Sequence, residues 1–227
     1  MNKTSSSTTA NNQTFWQLYH FYLLILLAVI IRQIPIVSIP FNWLESYFHE
    51  ISHGLAALLT GGSIIKIELF TNGAGLCTTR GGVSFVITFM GYAGATLWGW
   101  GIYTLAGAHK RVAQYFSYFI LLVLACSVIF WVRDLLTLII VAIVISMFVF
   151  LVKMKTLQYL QIVLQFMGII ILLNSLFSPM YLLDGRNLGD GAALAASTFI
   201  PELVWIVIWC ALALFACLNL AKSPRKR

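Results

Sequence analysis

The chain has 227 residues, of which 60% are hydrophobic and only 9% are charged. Soluble globular domains carry roughly 25% charged residues, so this composition excludes a water-soluble fold and indicates a membrane protein. The formal net charge is +7, but the lysines and arginines are scattered at the ends of apolar segments, where membrane topology places them. Nucleic-acid binding is therefore not expected.

Residues 1–14 are rich in serine, threonine and asparagine and are predicted to form a disordered polar tail. A single transmembrane domain is predicted over residues 15–221, followed by a short basic tail at 222–227. Apolar stretches of about 20 residues can cross a bilayer, and they predict an all-α polytopic membrane protein with about six to seven transmembrane helices. These stretches lie at 16–38, 41–60, 84–108, 113–132, 135–152, 157–178 and 201–221.

The basic residues divide unequally between the two faces that seven spans would create. One face has Lys3, Lys66, Arg80, Arg133 and Arg186. The other face has Lys110, Arg111, Lys153, Lys155, Lys222, Arg225, Lys226 and Arg227. Because lysine and arginine concentrate on the cytoplasmic side of a membrane, the C-terminus of this multi-pass protein is expected in the cytoplasm.

The second apolar stretch contains the sequence His49-Glu50-Ile51-Ser52-His53-Gly54. On a helix, residues four apart lie one turn apart on the same face, so His49 and His53 can bind one metal ion. Glu50 projects from a neighbouring part of the helix, where a water molecule on that metal can reach its carboxylate. This H-E-x-x-H pattern predicts a zinc site with His49 and His53 as ligands and Glu50 as the general base.

Residues 61–82 differ from the apolar stretches on either side of them. Apolar and polar side chains alternate from Ile65 to Phe70, and turn residues including Asn72-Gly73 follow. This pattern predicts a small β-hairpin directly after the motif helix. An open strand edge cannot face lipid, so the hairpin must lie at the surface or against protein. Its edge could hold an extended substrate by strand addition, and a connecting hairpin without a substrate role is the alternative.

A catalytic zinc ion usually takes three protein ligands, and the chain offers only seven carboxylates and four histidines. Glu45 lies one helical turn before His49 and could orient that imidazole without binding the metal itself; the alternative is a carboxylate near a helix end. Asp184 and Asp190 follow the sixth apolar stretch, on the side of the membrane where the motif helix ends. Both are candidates for the third ligand, and both are also residue types that turns and helix caps use.

Several short glycine-containing motifs accompany the H-E-x-x-H sequence. They are Gly61-Gly62, Gly81-Gly82, Met90-Gly91-Tyr92-Ala93-Gly94 and Gly189-Asp190-Gly191-Ala192-Ala193-Leu194-Ala195, the last followed by Ile200-Pro201. With these motifs the chain resembles the site-2 protease class of intramembrane zinc metallopeptidases, and within it the compact branch that has no PDZ domain. In that family an aspartate followed by a small residue, with leucine a turn later, supplies the third zinc ligand. Asp190 fits this pattern best, and Asp184 in Leu183-Asp184-Gly185 stays as the alternative.

The resemblance implies an intramembrane zinc metalloendopeptidase that cleaves membrane-embedded protein substrates. Zn²⁺ would activate a water molecule, and Glu50 would take its proton. A metal-binding membrane protein without peptidase activity, such as a transporter or a pseudoprotease, is the alternative. Such a protein needs the two histidines and an aspartate but not Glu50, and the sequence lacks the internal repeat that is common in transporters.

Overall fold

The structure is a computed structural model that describes residues 19–222, apart from the side chain of Asp184. The tail expected at 1–14 and nearly all of the tail expected at 222–227 lie outside the described residues. The elements are α1 (Tyr19–Arg32), α2 (Pro35–Leu59), β1 (Ser63–Leu69), β2 (Gly75–Arg80), α3 (Ser84–Ala108), α4 (Lys110–Phe130), α5 (Leu135–Val152), α6 (Leu157–Phe177), a 3-10 helix (Ser178–Asp184), α7 (Asp190–Thr198) and α8 (Glu202–Lys222). The predicted membrane fold, helical with one hairpin after the motif helix, is confirmed.

Helices α1 and α2 meet at a sharp break, with an angle of 112° between them. Ile34 is extended, with φ −105° and ψ 97°, because the ring of Pro35 disfavours helical geometry in the residue before it. The stretches expected at 16–38 and 41–60 therefore correspond to one bent pair, which counts as one candidate span at most. Together with α3, α4, α5, α6 and α8, residues 19–222 contain five or six candidate spans, where the sequence predicts six to seven.

Helix α2 carries the H-E-x-x-H motif and lies at the centre of the fold. Pro35 occupies its first turn, where the missing N–H group leaves no hydrogen bond unmade. The middle of the helix is buried, and the side chains of Tyr47, Phe48 and Ile51 are at most 1% exposed. It packs against α3, α6 and both strands. The polar residues of the motif are therefore enclosed by protein rather than by lipid.

The hairpin pairs β1 with β2 in antiparallel fashion, with Ile67 opposite Cys77 and Leu69 opposite Gly75. The pairing is irregular between Ile64 and Lys66, so Ile65 is an extra residue on β1. As a result Ile64 and Ile67 are buried while Ile65 is 39% exposed. The predicted hairpin is therefore present, but the bulge removes Ile65 from the buried face to which simple alternation assigns it.

The two edges of the hairpin have different surroundings. The N–H of Ile67 donates to the carbonyl of Trp131 at 3.0 Å, and the N–H of Leu69 donates to the hydroxyl of Thr137 at 2.9 Å. The outer edge of β1 is thus paired with the segment between α4 and α5. Because Ile67 and Leu69 turn these groups away from β2, their partners Cys77 and Gly75 turn their own main-chain groups away from β1. The free edge of the hairpin, to which no strand pairs among the described residues, is therefore that of β2, and the N–H of Cys77 on this edge faces the carboxylate of Glu50.

The tip of the hairpin is attached to the first half of α2. The indole N–H of Trp43 donates to the carbonyl of Phe70 at 3.1 Å. The hydroxyl of Ser46 donates to the carbonyl of Gly73. These bonds hold the hairpin along α2, so the free edge of β2 lies beside the motif.

Candidate metal centre

Three side chains from two distant parts of the chain meet beside α2. The Nε2 atoms of His49 and His53 are 3.0 Å apart. One carboxylate oxygen of Asp190 lies 3.1 Å from Nε2 of His49 and 3.3 Å from Nε2 of His53. Ligand atoms at about 2.0–2.1 Å from a tetrahedral zinc ion are themselves separated by about 3.3 Å. The three atoms therefore have the spacing of three ligands around one metal ion.

The surroundings of the two histidines leave room for an ion. Gly91 of α3 faces them, and a Cβ atom at that position would lie 2.5 Å from Nε2 of His53 and 2.6 Å from Nε2 of His49. Nδ1 of His53 lies 2.7 Å from the carbonyl of Ile87. Since a carbonyl only accepts, Nδ1 carries the proton and Nε2 keeps its lone pair for a metal. Two imidazoles and a carboxylate are a donor set that suits zinc, so these residues fit the ion.

The turn before α7 presents Asp190 to the histidines. Asp190 is the first residue of α7, and Gly189 before it has φ 91° and ψ −169°. This backbone conformation is essentially restricted to glycine. On the other side, a Cβ atom at Gly191 would lie 2.6 Å from a carboxylate oxygen of Glu202, so the first turn of α8 packs tightly on α7. Small residues on both sides of Asp190 thus allow its carboxylate to reach α2.

The two aspartates that are candidates for the third ligand occupy different positions in the structure. Asp190 is half-buried next to both histidines, with 20% of its side chain exposed. Asp184 ends the 3-10 helix, and its side chain lies outside the described part of the chain. The observed grouping of possible metal ligands among the described residues is His49, His53 and Asp190.

Glu50 is buried between the three possible metal ligands and the hairpin. Glu50 is 5% exposed, and both histidines and Asp190 are close enough to interact with the charge of its carboxylate. A Cβ atom at Gly75 would lie 2.5 Å from a carboxylate oxygen of Glu50, so the free edge of β2 touches this carboxylate. Burial, together with the charge of Glu50, raises the pKa of the neighbouring Cys77 thiol to about 12. Cys77 is therefore a neutral, unreactive thiol at pH 7.

A known protein family matches nearly the whole chain. A family model described as Peptidase M50B-like matches residues 21–220, which include the motif, the hairpin and α7. The chain belongs to the Peptidase M50B-like family. No curated protein and no solved structure gave a match. Membership confirms the resemblance to site-2 protease-type enzymes, with no PDZ region evident, and it indicates a metallopeptidase that acts on proteins.

Glu45 occupies a less defined place in this M50B-like site. It is buried one turn before His49, and the nearest charges to its carboxylate are those of His49, Glu50 and Arg32. Among the described residues no hydrogen bond joins Glu45 to His49. A role for Glu45 in orienting His49 therefore remains a prediction.

The sequence motif Met90-Gly91-Tyr92-Ala93-Gly94 includes a residue that contacts the site, although the sequence predicts no role for its side chain. The ring of Tyr92 packs edge-on against the imidazole of His49, with centroids 4.4 Å apart, and its other neighbour is Trp209 at 4.8 Å. The indole of Trp209 donates to the carbonyl of Phe89 at 3.1 Å, which joins α8 to α3. The available signal was an aromatic stripe on α3, in which Phe85, Phe89 and Tyr92 recur at helical spacing.

Proposed function

We propose that the protein is an intramembrane zinc metalloendopeptidase that cleaves peptide bonds of membrane-embedded protein substrates. In this proposal His49, His53 and Asp190 bind Zn²⁺ and Glu50 is the general base. The observation that carries the proposal is the position of Glu50. Its buried carboxylate lies between the three possible ligands and the free edge of a β-strand, where an extended peptide could lie.

The ligands and their surroundings have separate tasks. A zinc ion held there would lower the pKa of a water molecule toward 7 and would polarise the carbonyl that is attacked. The carbonyl of Ile87 holds the His53 imidazole in the tautomer that leaves Nε2 free. The carboxylate of Asp190 is the third ligand in this proposal, and it brings a negative charge to the metal. Glu45, buried near His49, is proposed to orient that second imidazole.

Glu50 moves the proton in both halves of the reaction. Its carboxylate takes a proton from the attacking water as the carbon–oxygen bond forms. The same carboxyl group then gives this proton to the leaving amine as the peptide bond breaks. Burial against β2 excludes bulk water from the carboxylate, so the proton is passed to the substrate rather than to solvent.

The free edge of β2 is proposed to hold the substrate. A transmembrane helix offers no accessible peptide bond, so the segment to be cut must first be unwound. The outward main-chain groups of Gly75 and the carbonyl of Cys77 can then pair with the extended segment by strand addition, while the N–H of Cys77 stays with the Glu50 carboxylate. The edge of β1 cannot serve, because Trp131 and Thr137 already accept its N–H groups.

The experiment compares zinc content and cleavage for the same purified variants. The full chain is reconstituted in proteoliposomes with a single-span test peptide, and zinc is measured by mass spectrometry of the metal. Glu50→Gln should keep its zinc and lose cleavage by about a hundredfold or more. His49→Ala and Asp190→Ala should lose both zinc and cleavage. Glu68→Gln, which alters a hairpin carboxylate paired with Lys66 at 2.8 Å, is the matched control and should change neither.

Four results would contradict parts of this proposal. A wild type without zinc would end the zinc assignment, and unchanged cleavage by Glu50→Gln would end the assignment of the base. Loss of zinc in Asp184→Ala but not in Asp190→Ala would move the third ligand to Asp184. A wild type that binds zinc but never cleaves would favour the metal-binding protein without peptidase activity.

A further inference from the structure

Arg32, at the end of α1, has hydrogen-bond donors that the protein does not use. Its guanidinium lies over the ring of Phe177, 4.8 Å from the centroid. Its Nη1 atom is buried and has no acceptor, and no hydrogen bond or ion pair joins Arg32 to any of the described side chains or main-chain groups. A guanidinium has five N–H donors, and leaving buried donors unpaired is costly. The side chain therefore requires an acceptor from outside the described chain.

A second arginine, in contrast to Arg32, uses its guanidinium N–H groups in hydrogen bonds within the protein. Arg133, after the end of α4, donates to the carbonyls of Ile129, Phe130 and Val132. Cations near a helix end commonly bind its last carbonyl groups in this way. Arg32 also lies at a helix end but makes no such bond. Tyr181 and Glu45 interact with its charge, but neither forms a hydrogen bond or ion pair with it.

The guanidinium borders a cavity of about 300 Å³ between α1 and α6. Arg32 and Gln33 form its polar part, and Val29, Leu173 and Phe177 form its apolar part. Arg32 ends α1 and Phe177 ends α6, so both helices end beside this cavity. The cavity therefore combines a cation, an amide and an apolar wall.

The surface next to the cavity is apolar and exposed. On α1, Leu26, Val29 and Ile30 are 57%, 42% and 50% exposed. A ligand with hydrocarbon chains can cover these side chains while its polar group reaches the cavity. A free anion would fill the polar end and leave this face uncovered. The combination favours an amphiphile with an anionic head.

We propose that the cavity between α1 and α6 binds the phosphate group of a membrane phospholipid. Arg32 donates to two phosphate oxygens in the bidentate geometry that a planar guanidinium favours, and Gln33 donates through its amide. The acyl chains lie along the exposed face of α1. Basic pockets between transmembrane helices are a recurrent way of holding lipid headgroups. This site is separate from the proposed peptidase centre, so either can fail without the other.

The test counts lipids bound to the purified full-length chain by native mass spectrometry. Three probes are titrated separately: phosphatidylglycerol, diacylglycerol with the same acyl chains, and inorganic phosphate. The wild type should bind one phosphatidylglycerol at least about tenfold more tightly than Arg32→Gln does. Arg32→Lys, which keeps the charge but not the two-pronged geometry, should fall between them. Arg133→Gln should match the wild type, because its donors are already used within the chain.

The same titrations define the results that overturn the proposal. Equal phosphatidylglycerol binding by wild type and Arg32→Gln would remove Arg32 from the site. Equal binding of diacylglycerol to the wild type would show that the phosphate is not recognised, and this comparison needs no variant to fold. Displacement of the lipid by an equal concentration of inorganic phosphate would make the cavity a site for free anions. An equal loss in Arg133→Gln would show a general effect of positive charge.

Discussion

Gly91→Ala is the sharpest test of the ligand geometry, because it adds one methyl group beside the two histidines. The new Cβ atom would lie 2.5 Å from Nε2 of His53 and 2.6 Å from Nε2 of His49, whereas ordinary contacts begin near 3.4 Å. The differences, 3.4 − 2.5 and 3.4 − 2.6, are 0.9 and 0.8 Å. Metal–ligand distances tolerate deviations of only about 0.2 Å. The imidazoles must therefore leave their ligand positions, or α3 must move away.

The expected result of Gly91→Ala is a loss of zinc affinity of about a hundredfold or more. Changes that only disturb the supports of a ligand already cost about 10–100-fold. The assay is the zinc dissociation constant of the purified protein in metal-buffered solution, measured together with its unfolding free energy. Cleavage should fall in proportion to the zinc that is lost.

Gly101→Ala is the matched control for this substitution. Gly101 is in the same helix, and a Cβ atom there would meet nothing within 4 Å. Replacing a helical glycine with alanine without a clash stabilises a helix by up to about 1 kcal/mol. The control should therefore keep its zinc affinity and be at least as stable as the wild type. If Gly91→Ala bound zinc as tightly as the wild type and its unfolding free energy were also unchanged, α3 would not have moved and the Nε2 atoms could not be the atoms that hold the metal.

Three further predictions concern the hairpin and the metal. Gly75→Ala should keep zinc but lose cleavage by about tenfold or more, since its Cβ atom would lie 2.5 Å from the Glu50 carboxylate; unchanged turnover would place Glu50 elsewhere during catalysis. Thr137→Val should lower the unfolding free energy by about 1–3 kcal/mol in a detergent titration, because the N–H of Leu69 loses its acceptor. In the same titration the control Thr104→Val, on the exposed face of α3, should lower it by less than about 0.5 kcal/mol. Zinc removal by a chelator should lower the melting temperature, and adding zinc back should restore it, because an ion that binds only the folded state stabilises that state. A melting temperature that is the same with and without zinc would contradict a bound ion.

Features that depend on local spacing could be predicted from the sequence. His49 and His53 lie on one face of α2 because residues four apart always do so on a helix. The hairpin also follows from local alternation and a turn, although the bulge that exposes Ile65 leaves no separate mark in the residue pattern. The preference for Asp190 over Asp184 came from the family resemblance, because the position of the two aspartates in the sequence left both open as the third ligand.

Features that depend on distant contacts could not be predicted in this way. Nothing in the residues near Tyr92 shows that its ring packs on His49, since that contact requires the pairing of α2 with α3. The 112° angle between α1 and α2 likewise depends on where the two helices pack, although Pro35 marks the break. The unused donors of Arg32 become visible only when every possible acceptor has a position.

Glycine on two sides of the site has a consequence for substrate choice. Gly91 brings the backbone of α3 to the histidines, and Gly75 brings the backbone of β2 to Glu50. In the proposed enzyme, the peptide to be cut would thus meet main-chain atoms on β2 and, at Gly91, the backbone of α3. Main-chain atoms are identical in every protein, so they cannot distinguish one amino-acid sequence from another. Selection of substrates would then depend less on which side chains flank the cut than on how readily a membrane helix unwinds.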